Sequence, residues 1–127
     1  MGTIIVRGEK SEERNTVDSI LDEVFQDPRI PTMFRNLWDS PYFNKDLSVI
    51  ADRDNHILGY ALYFPVMVQG NGIAYKAVHM APIAVRAVPE KQGVGERLVR
   101  HGMQRAHSLG HEIVLVMGPR EYFGAFG

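Results

Sequence analysis

Residues 73–117 change periodicity twice around a pair of glycines. Residues 73–85 read as a single strand. Gly93-Val94-Gly95 then opens a stretch in which Val94, Leu98, Val99, Gly102, Met103, Ala106 and Leu109 share one helical face. Glu96, Arg97, Arg100, Gln104 and Arg105 take the other face, and Gly110 stands where a helix closes on a C′ glycine. Residues 111–117, His-Glu-Ile-Val-Leu-Val-Met, return to the pattern of a buried strand. Strand, helix and strand in so short a span predict a parallel βαβ crossover.

The segment before it follows a different rule. Residues 52–55 and 69–72 are turn signals, because asparagine and glycine tolerate positive φ. They separate the apolar runs 47–51, 57–68 and 73–85, so three antiparallel strands are expected as a meander. Residues 3–8 read as a short β-branched strand. A helix should follow, with Ser11 as N-cap, Glu12 and Glu13 at the positive end of its dipole, and Val17, Ile20, Leu21, Val24 and Phe25 on its apolar face. Asp27-Pro28 ends it. A short helix over residues 32–39 fits between Pro31 and Pro41, in a segment carrying Phe34, Trp38, Tyr42 and Phe43. The expected class is therefore α/β with a mixed sheet: an antiparallel meander followed by a βαβ crossover.

Composition narrows the function. The 127 residues fit one domain, and 45% hydrophobic with 23% charged residues is globular composition. A net charge of -1 gives no electrostatic footprint for nucleic acid. The absence of cysteine excludes thiol catalysis, zinc–thiolate sites and disulfides. No apolar run is long enough to span a membrane, and residues 1–7 are too brief a stretch for a signal peptide. A soluble, cytoplasmic domain is the expectation.

A strand feeding a glycine loop and then a helix can aim backbone N–H groups into one concavity at the positive helix end. Such a nest holds a phosphate or pyrophosphate. Gly93 and Gly95 equally suit a plain strand-to-helix turn. There is no Gly-Lys-Ser/Thr of a P-loop and no third glycine of the dinucleotide fingerprint.

Ile83-Ala84-Val85, the charged and proline-bearing loop, Gly93-Val94-Gly95, Leu98-Val99, Ala106 and Leu109-Gly110-His111 together resemble the core of the GNAT superfamily of N-acetyltransferases. The resemblance spans essentially the whole chain and is strongest over residues 78–127. It implies a GNAT-like fold that takes acetyl-CoA as co-substrate and acetylates an amine acceptor that the sequence does not identify. Carried over, Ile83, Ala84 and Val85 would line the pantetheine arm. Lys91, Gln92, Gly93, Val94, Gly95 and Glu96 would cradle the pyrophosphate. The family's loop usually reads Gln/Arg-x-x-Gly-x-Gly/Ala; here Glu90 falls where glutamine or arginine is usual. The register that sets Gly93 and Gly95 on the two small positions keeps the distances to Val85 and Leu98.

His79, six residues before Val85 on the same strand, stands where the resemblance implies a base. Imidazole titrates close enough to neutrality for that work; a strand histidine without a role is the plainer alternative. For the acid, the family's tyrosine position is Phe123. Tyr122 lies beside it, about 100° around a helix, and is either recruited by a local shift or an ordinary packing tyrosine, with water then protonating the thiolate. A last helix could begin at Pro119. His56, His101, His107 and His111 form no recognisable ligand spacing, so no metal is expected. Arg100 and Arg105 read as solvated helix charges, either of which could reach the 3′-phosphate of CoA. Phe34, Trp38, Tyr42 and Phe43 are candidates for an apolar acceptor wall or for plain core.

Relatives of this kind continue through two further strands, so residues 1–127 read as a single domain without them. An unpaired sheet edge would follow, and a homodimer could cover it. Two other readings stand beside acetyl transfer: a CoA-binding sensor or interaction module without turnover, and an anion-binding α/β domain unrelated to CoA.

Overall fold

A computed structural model describes residues 3–116. Its strands are β1 (Ile5–Gly8), β2 (Ser48–Arg53), β3 (His56–Gly70), β4 (Ile73–Met80), β5 (Ala84–Val85) and β6 (Ile113–Val116). Helices α1 (Arg14–Val24) and α2 (Arg29–Trp38) lie between β1 and β2, and α3 (Val94–Ser108) between β5 and β6. The sheet order is β1-β2-β3-β4-β6, with β5 also pairing β3. All pairs are antiparallel except β4–β6, which is parallel. The mixed α/β class and the meander-then-crossover order agree with expectation.

Both hairpins close through two residues at positive φ, Asp54-Asn55 and Asn71-Gly72, between the pairs Arg53↔His56 and Gly70↔Ile73. The Asp52 carboxylate also accepts from the Asn55 N–H at 3.0 Å. Pro65 sits inside β3 without costing a ladder bond. The carbonyls of Leu58 and Leu62 face the β4–β5 edge, so Pro65, at odd spacing from them, turns its missing donor to the opposite edge, beyond the last β2 pair at Ser48↔Leu62.

The strand expected over 73–85 is two strands. Tyr63 pairs Met80 and Tyr60 pairs Ala84, so three steps along β3 oppose four along its partner. The extra residue is a bulge at 81–83, immediately after the last β4–β6 pair, Met80↔Val116. Two helix starts also differ from expectation. Ser11 is not an N-cap: Lys10 is extended and donates its N–H to Glu13 Oε1 at 2.8 Å, so a 3-10 turn, Ser11–Glu13, precedes α1. Helix α2 begins at Arg29 because Asp27 Oδ1 accepts the Arg29 N–H at 3.0 Å, and Pro31 falls in the first turn, where its absent donor is harmless.

One core lies on each face of the sheet. On one face Val17, Ile20, Leu21 and Phe34 of α1 and α2 pack on Ile50, Tyr60, Leu62 and Ala84. On the other, Val94, Leu98 and Ala106 of α3 pack on Val49, Ala61, Tyr63, Val78 and Met80. Met103, expected on the buried face of α3, is exposed; the stripe that meets the sheet is narrower and passes through Gly102. Gly110 closes α3 as expected: His111 N–H bonds Ala106 O and Gly110 N–H bonds His107 O, the Schellman pattern.

A polar chain ties the first core together. Trp38 Nε1–H donates to the Tyr60 hydroxyl at 3.0 Å, and that hydroxyl lies 2.5 Å from Ser48 Oγ. Ser48 Oγ in turn donates to Glu9, which also accepts from Arg14. The Arg14 guanidinium covers the Trp38 ring at 4.2 Å. Burial raises the Tyr60 hydroxyl well above its ordinary value, so it remains a neutral donor within the chain. Among the described residues no helix is long and apolar enough to cross a membrane.

Candidate functional site

The bulge at 81–83 decides which backbone groups β5 shows to its outer edge. Ala81 N–H bonds Leu62 O, and Arg86 N–H bonds Leu58 O. Alternation then turns Ala84 toward β3 and turns the N–H and C=O of Ile83 and Val85 the other way. Among the described residues β5 has a strand partner on one edge only. Ile83 and Val85 place their side chains in the α3-side core, and Ala84 is buried in the other. The three residues thus present a row of polar backbone on an apolar floor.

From β5 the chain passes a 3-10 turn, Pro89–Lys91, and then Gln92 (φ -59°, ψ 125°) and Gly93 (φ 78°, ψ -3°). These are the central torsions of a type II turn, whose second position needs a residue that accepts positive φ. Gly93 is also the N-cap of α3, and no side chain caps the helix there. The first intrahelical bond runs from Arg97 N–H to Gly93 O at 3.1 Å. That leaves Val94, Gly95 and Glu96 carrying first-turn N–H groups without an intrahelical acceptor. A Cβ built on Gly93 meets nothing within 4 Å, so the space beside the N-cap is open. Lys91 and Gln92 are exposed beside it, Val94 is fully buried and anchors the helix start, and Gly95 is half-buried. The Glu96 carboxylate is drawn to Arg100 at 2.6 Å. The nine residues expected around a pantetheine–pyrophosphate arm therefore form one continuous ribbon: an open backbone edge leading into an uncapped helix start.

His79 lies on β4 just before the bulge. Val78 and Met80 belong to the α3-side core, so His79 points to the α1–α2 face, between its register partners Phe64 and Leu115. The ring is half-buried. Among the described residues Nδ1 is shut off from solvent without a hydrogen-bond partner. Tyr122, Phe123 and the helix expected from Pro119 lie outside the described residues.

The remaining expectations separate. Phe34 is fully buried, and Trp38 and Phe43 pack against the same core, so of the four aromatics only Tyr42 is exposed. Tyr42 lines a cavity of about 500 Å³ with Phe64, Pro65, Val66, Met67, Lys76 and His111. Lys76 Nζ donates to Leu109 O there, which puts the cavity at the C-terminal end of α3, away from the glycine loop. His111 Nδ1 lies 3.0 Å from Ala77 O, and burial together with Lys76 lowers its basicity. His101 is lowered by burial and by Arg105. Among the described residues no three metal-ligating side chains converge. Pro82, inside an apparent strand, is the sequence signal for the bulge.

The profile of the acetyltransferase (GNAT) domain matches residues 6–127. The uncharacterized N-acetyltransferase YhbS of Escherichia coli is 26% identical over 124 residues, covering 98% of this chain and 72% of YhbS. The crystal structure of Escherichia coli YhbS in complex with CoA superposes with a TM-score of 0.83 at 25% identity, over 100% of this chain and 69% of that one. A GNAT family acetyltransferase from Brucella melitensis, solved in complex with acetyl-CoA, superposes with a TM-score of 0.79 at 18% identity, over 98% of this chain and 82% of that one. The last likeness is one of fold.

Proposed function

The chain belongs to the GNAT acetyltransferase family, and from that premise we propose that it transfers the acetyl group of acetyl-CoA to a primary amine of a small molecule or peptide. The observation that carries this reading is the ribbon from the open edge of Ile83 and Val85 to the uncapped start of α3 at Gly93. An extended amide chain ending in a pyrophosphate needs those two things in that order. Free strand-edge groups can bond the pantetheine amides, and first-turn N–H groups at the positive end of a fifteen-residue helix can bond the phosphates. In this reading Lys91 and Gln92 flank the pyrophosphate, Val94, Gly95 and Glu96 offer their amides, and the Glu96 carboxylate is kept off the phosphates by Arg100. The crystal structures of YhbS with CoA and of the Brucella protein with acetyl-CoA support the choice of co-substrate.

The reaction joins two reactants held on one frame. The neutral amine attacks the thioester carbonyl carbon, the C–S bond breaks, and an amide and CoA thiol result. Holding the thioester in place supplies the proximity term. Residues 1–127 act as a single domain.

Thiol release from acetyl-CoA tests the proposal, with an amino acid, a polyamine, an aminoglycoside and a lysine peptide as acceptors. The chain has no cysteine, so a thiol reagent sees only CoA. Release above the acceptor-free rate with at least one amine is expected. Acetyl-CoA binding without release in every case would contradict acetyl transfer and leave a CoA-binding module.

A further inference from the structure

The cavity beside Tyr42 has two ends of different chemistry. It starts at Phe64, whose register partner is His79, and it reaches Met67 and that residue's partner, Lys76. Three residues of extended strand make this span about 10 Å. Tyr42, Phe64, Pro65, Val66 and Met67 give it an apolar wall, and its volume of about 500 Å³ is that of a small-ligand site. The basic groups, Lys76 and His111, stand at the end remote from Phe64. Among the described residues no carboxylate lines the cavity, and none pairs with Lys76. Lys76 Nζ donates to Leu109 O at 2.8 Å and keeps two further donors. Burial and the Lys76 charge together lower the basicity of His111, so positive charge is felt across this end. A second ammonium there would meet like charge and no counter-ion, whereas an anion would meet one.

The Phe64 end adjoins the site of the arm. A pantetheine arm anchored by its pyrophosphate at Gly93 runs along Val85 and then Ile83, so its acetyl end lies toward the bulge at 81–83. Tyr63↔Met80 is the last β3–β4 pair before that bulge, and Phe64↔His79 is the next one along.

We infer that the acceptor is an elongated primary amine with an apolar body and an anionic far end, seated with its amino group toward Phe64 and its anion toward Lys76. The inference rests on the acetyl-transfer reading above and names its substrate class. The free amine nitrogen bonds to the thioester carbonyl carbon, the C–S bond breaks, and CoA leaves as the thiolate. The proton lost by the nitrogen passes through water to that sulfur. Polyamines and aminoglycosides, cationic along their length, do not suit this wall.

Three probes share one amine and one hydrocarbon body: 8-aminooctanoate, octylamine and 1,8-diaminooctane have anionic, neutral and cationic far ends. Thiol release from acetyl-CoA should give kcat/KM falling in that order, with about tenfold or more between the first two. Lys76→Met should bring 8-aminooctanoate level with octylamine, and Lys76→Glu should rank the diamine above the acid. Both variants should bind acetyl-CoA as wild type does, which also reports that they fold. A wild type that uses octylamine or the diamine as well as the acid overturns the inference alone. So does a Lys76→Glu chain that binds acetyl-CoA and still prefers the acid, or activity with one of the four acceptors named above and none with 8-aminooctanoate. A wild type that binds acetyl-CoA and releases thiol with none of these amines overturns the acetyl-transfer reading and this acceptor with it.

Discussion

Gly93→Glu is expected to weaken acetyl-CoA binding by about a hundredfold, close to 2.8 kcal/mol. Three effects add at this one position. The side chain grows into open space from the N-cap, next to the first-turn residues of α3. Its carboxylate competes with the phosphates for the positive helix end. The φ of 78° is strained for any residue with a Cβ. A matched control removes the third effect from the comparison. Gly72, in the hairpin between β3 and β4, has a φ of 76° and likewise nothing within 4 Å of a built Cβ. Gly72→Glu therefore carries similar backbone strain in an equally open place, on a turn remote in the fold from the helix start. It should bind acetyl-CoA as wild type does. Equal affinity in the two variants would contradict the assignment of the α3 N-terminus to the pyrophosphate.

Gly102→Ala should destabilise the fold by about 3 kcal/mol, although glycine to alanine within a helix ordinarily stabilises by about 1 kcal/mol. The sign reverses because a Cβ on Gly102 would stand 1.8 Å from Tyr63 Cε1 and 2.3 Å from Cζ. The ring has nowhere to retreat. Tyr63 is fully buried in β3, and its hydroxyl donates to Val99 O at 3.0 Å, which pins it flat against α3. Thermal unfolding should show a fall in Tm on the order of 10 °C for a chain of this size. Tyr63→Leu, combined with Gly102→Ala, should recover part of the loss, since the two positions are in direct contact and their effects are not additive. A Tm raised by Gly102→Ala would mean that α3 does not lie this close to β3.

The parts of this fold legible in the sequence are those set by neighbours along the chain. Asp54-Asn55 and Asn71-Gly72 announce the hairpins because positive φ is a property of those residues themselves, and Gly110 announces the end of α3 for the same reason. The ribbon from Ile83 to Glu96 was legible as order along the chain. Its open edge was not, because a bulge is a mismatch against a partner strand: it exists in the difference between Tyr63↔Met80 and Tyr60↔Ala84. The surroundings of His79 were hidden likewise. Its position on β4 was readable, but its register partners Phe64 and Leu115 and the burial of its Nδ1 follow only from the folded sheet. Periodicity puts Met103 on the buried face, whereas the close approach of Tyr63 at Gly102 narrows the stripe and leaves Met103 exposed. The chain from Trp38 through Tyr60 and Ser48 to Glu9 joins four segments far apart in sequence, and no local pattern foretells it.

Calorimetric titration of the chain with acetyl-CoA, beside ATP and inorganic phosphate, tests the central claim most directly. The open strand edge and the helix start must act together to hold a pantetheine arm and its pyrophosphate. Saturable binding of acetyl-CoA that ATP and phosphate do not match is the predicted result, because neither competitor can use the edge of Ile83 and Val85. A folded sample that gives no binding, or binds ATP as tightly as acetyl-CoA, would contradict the account.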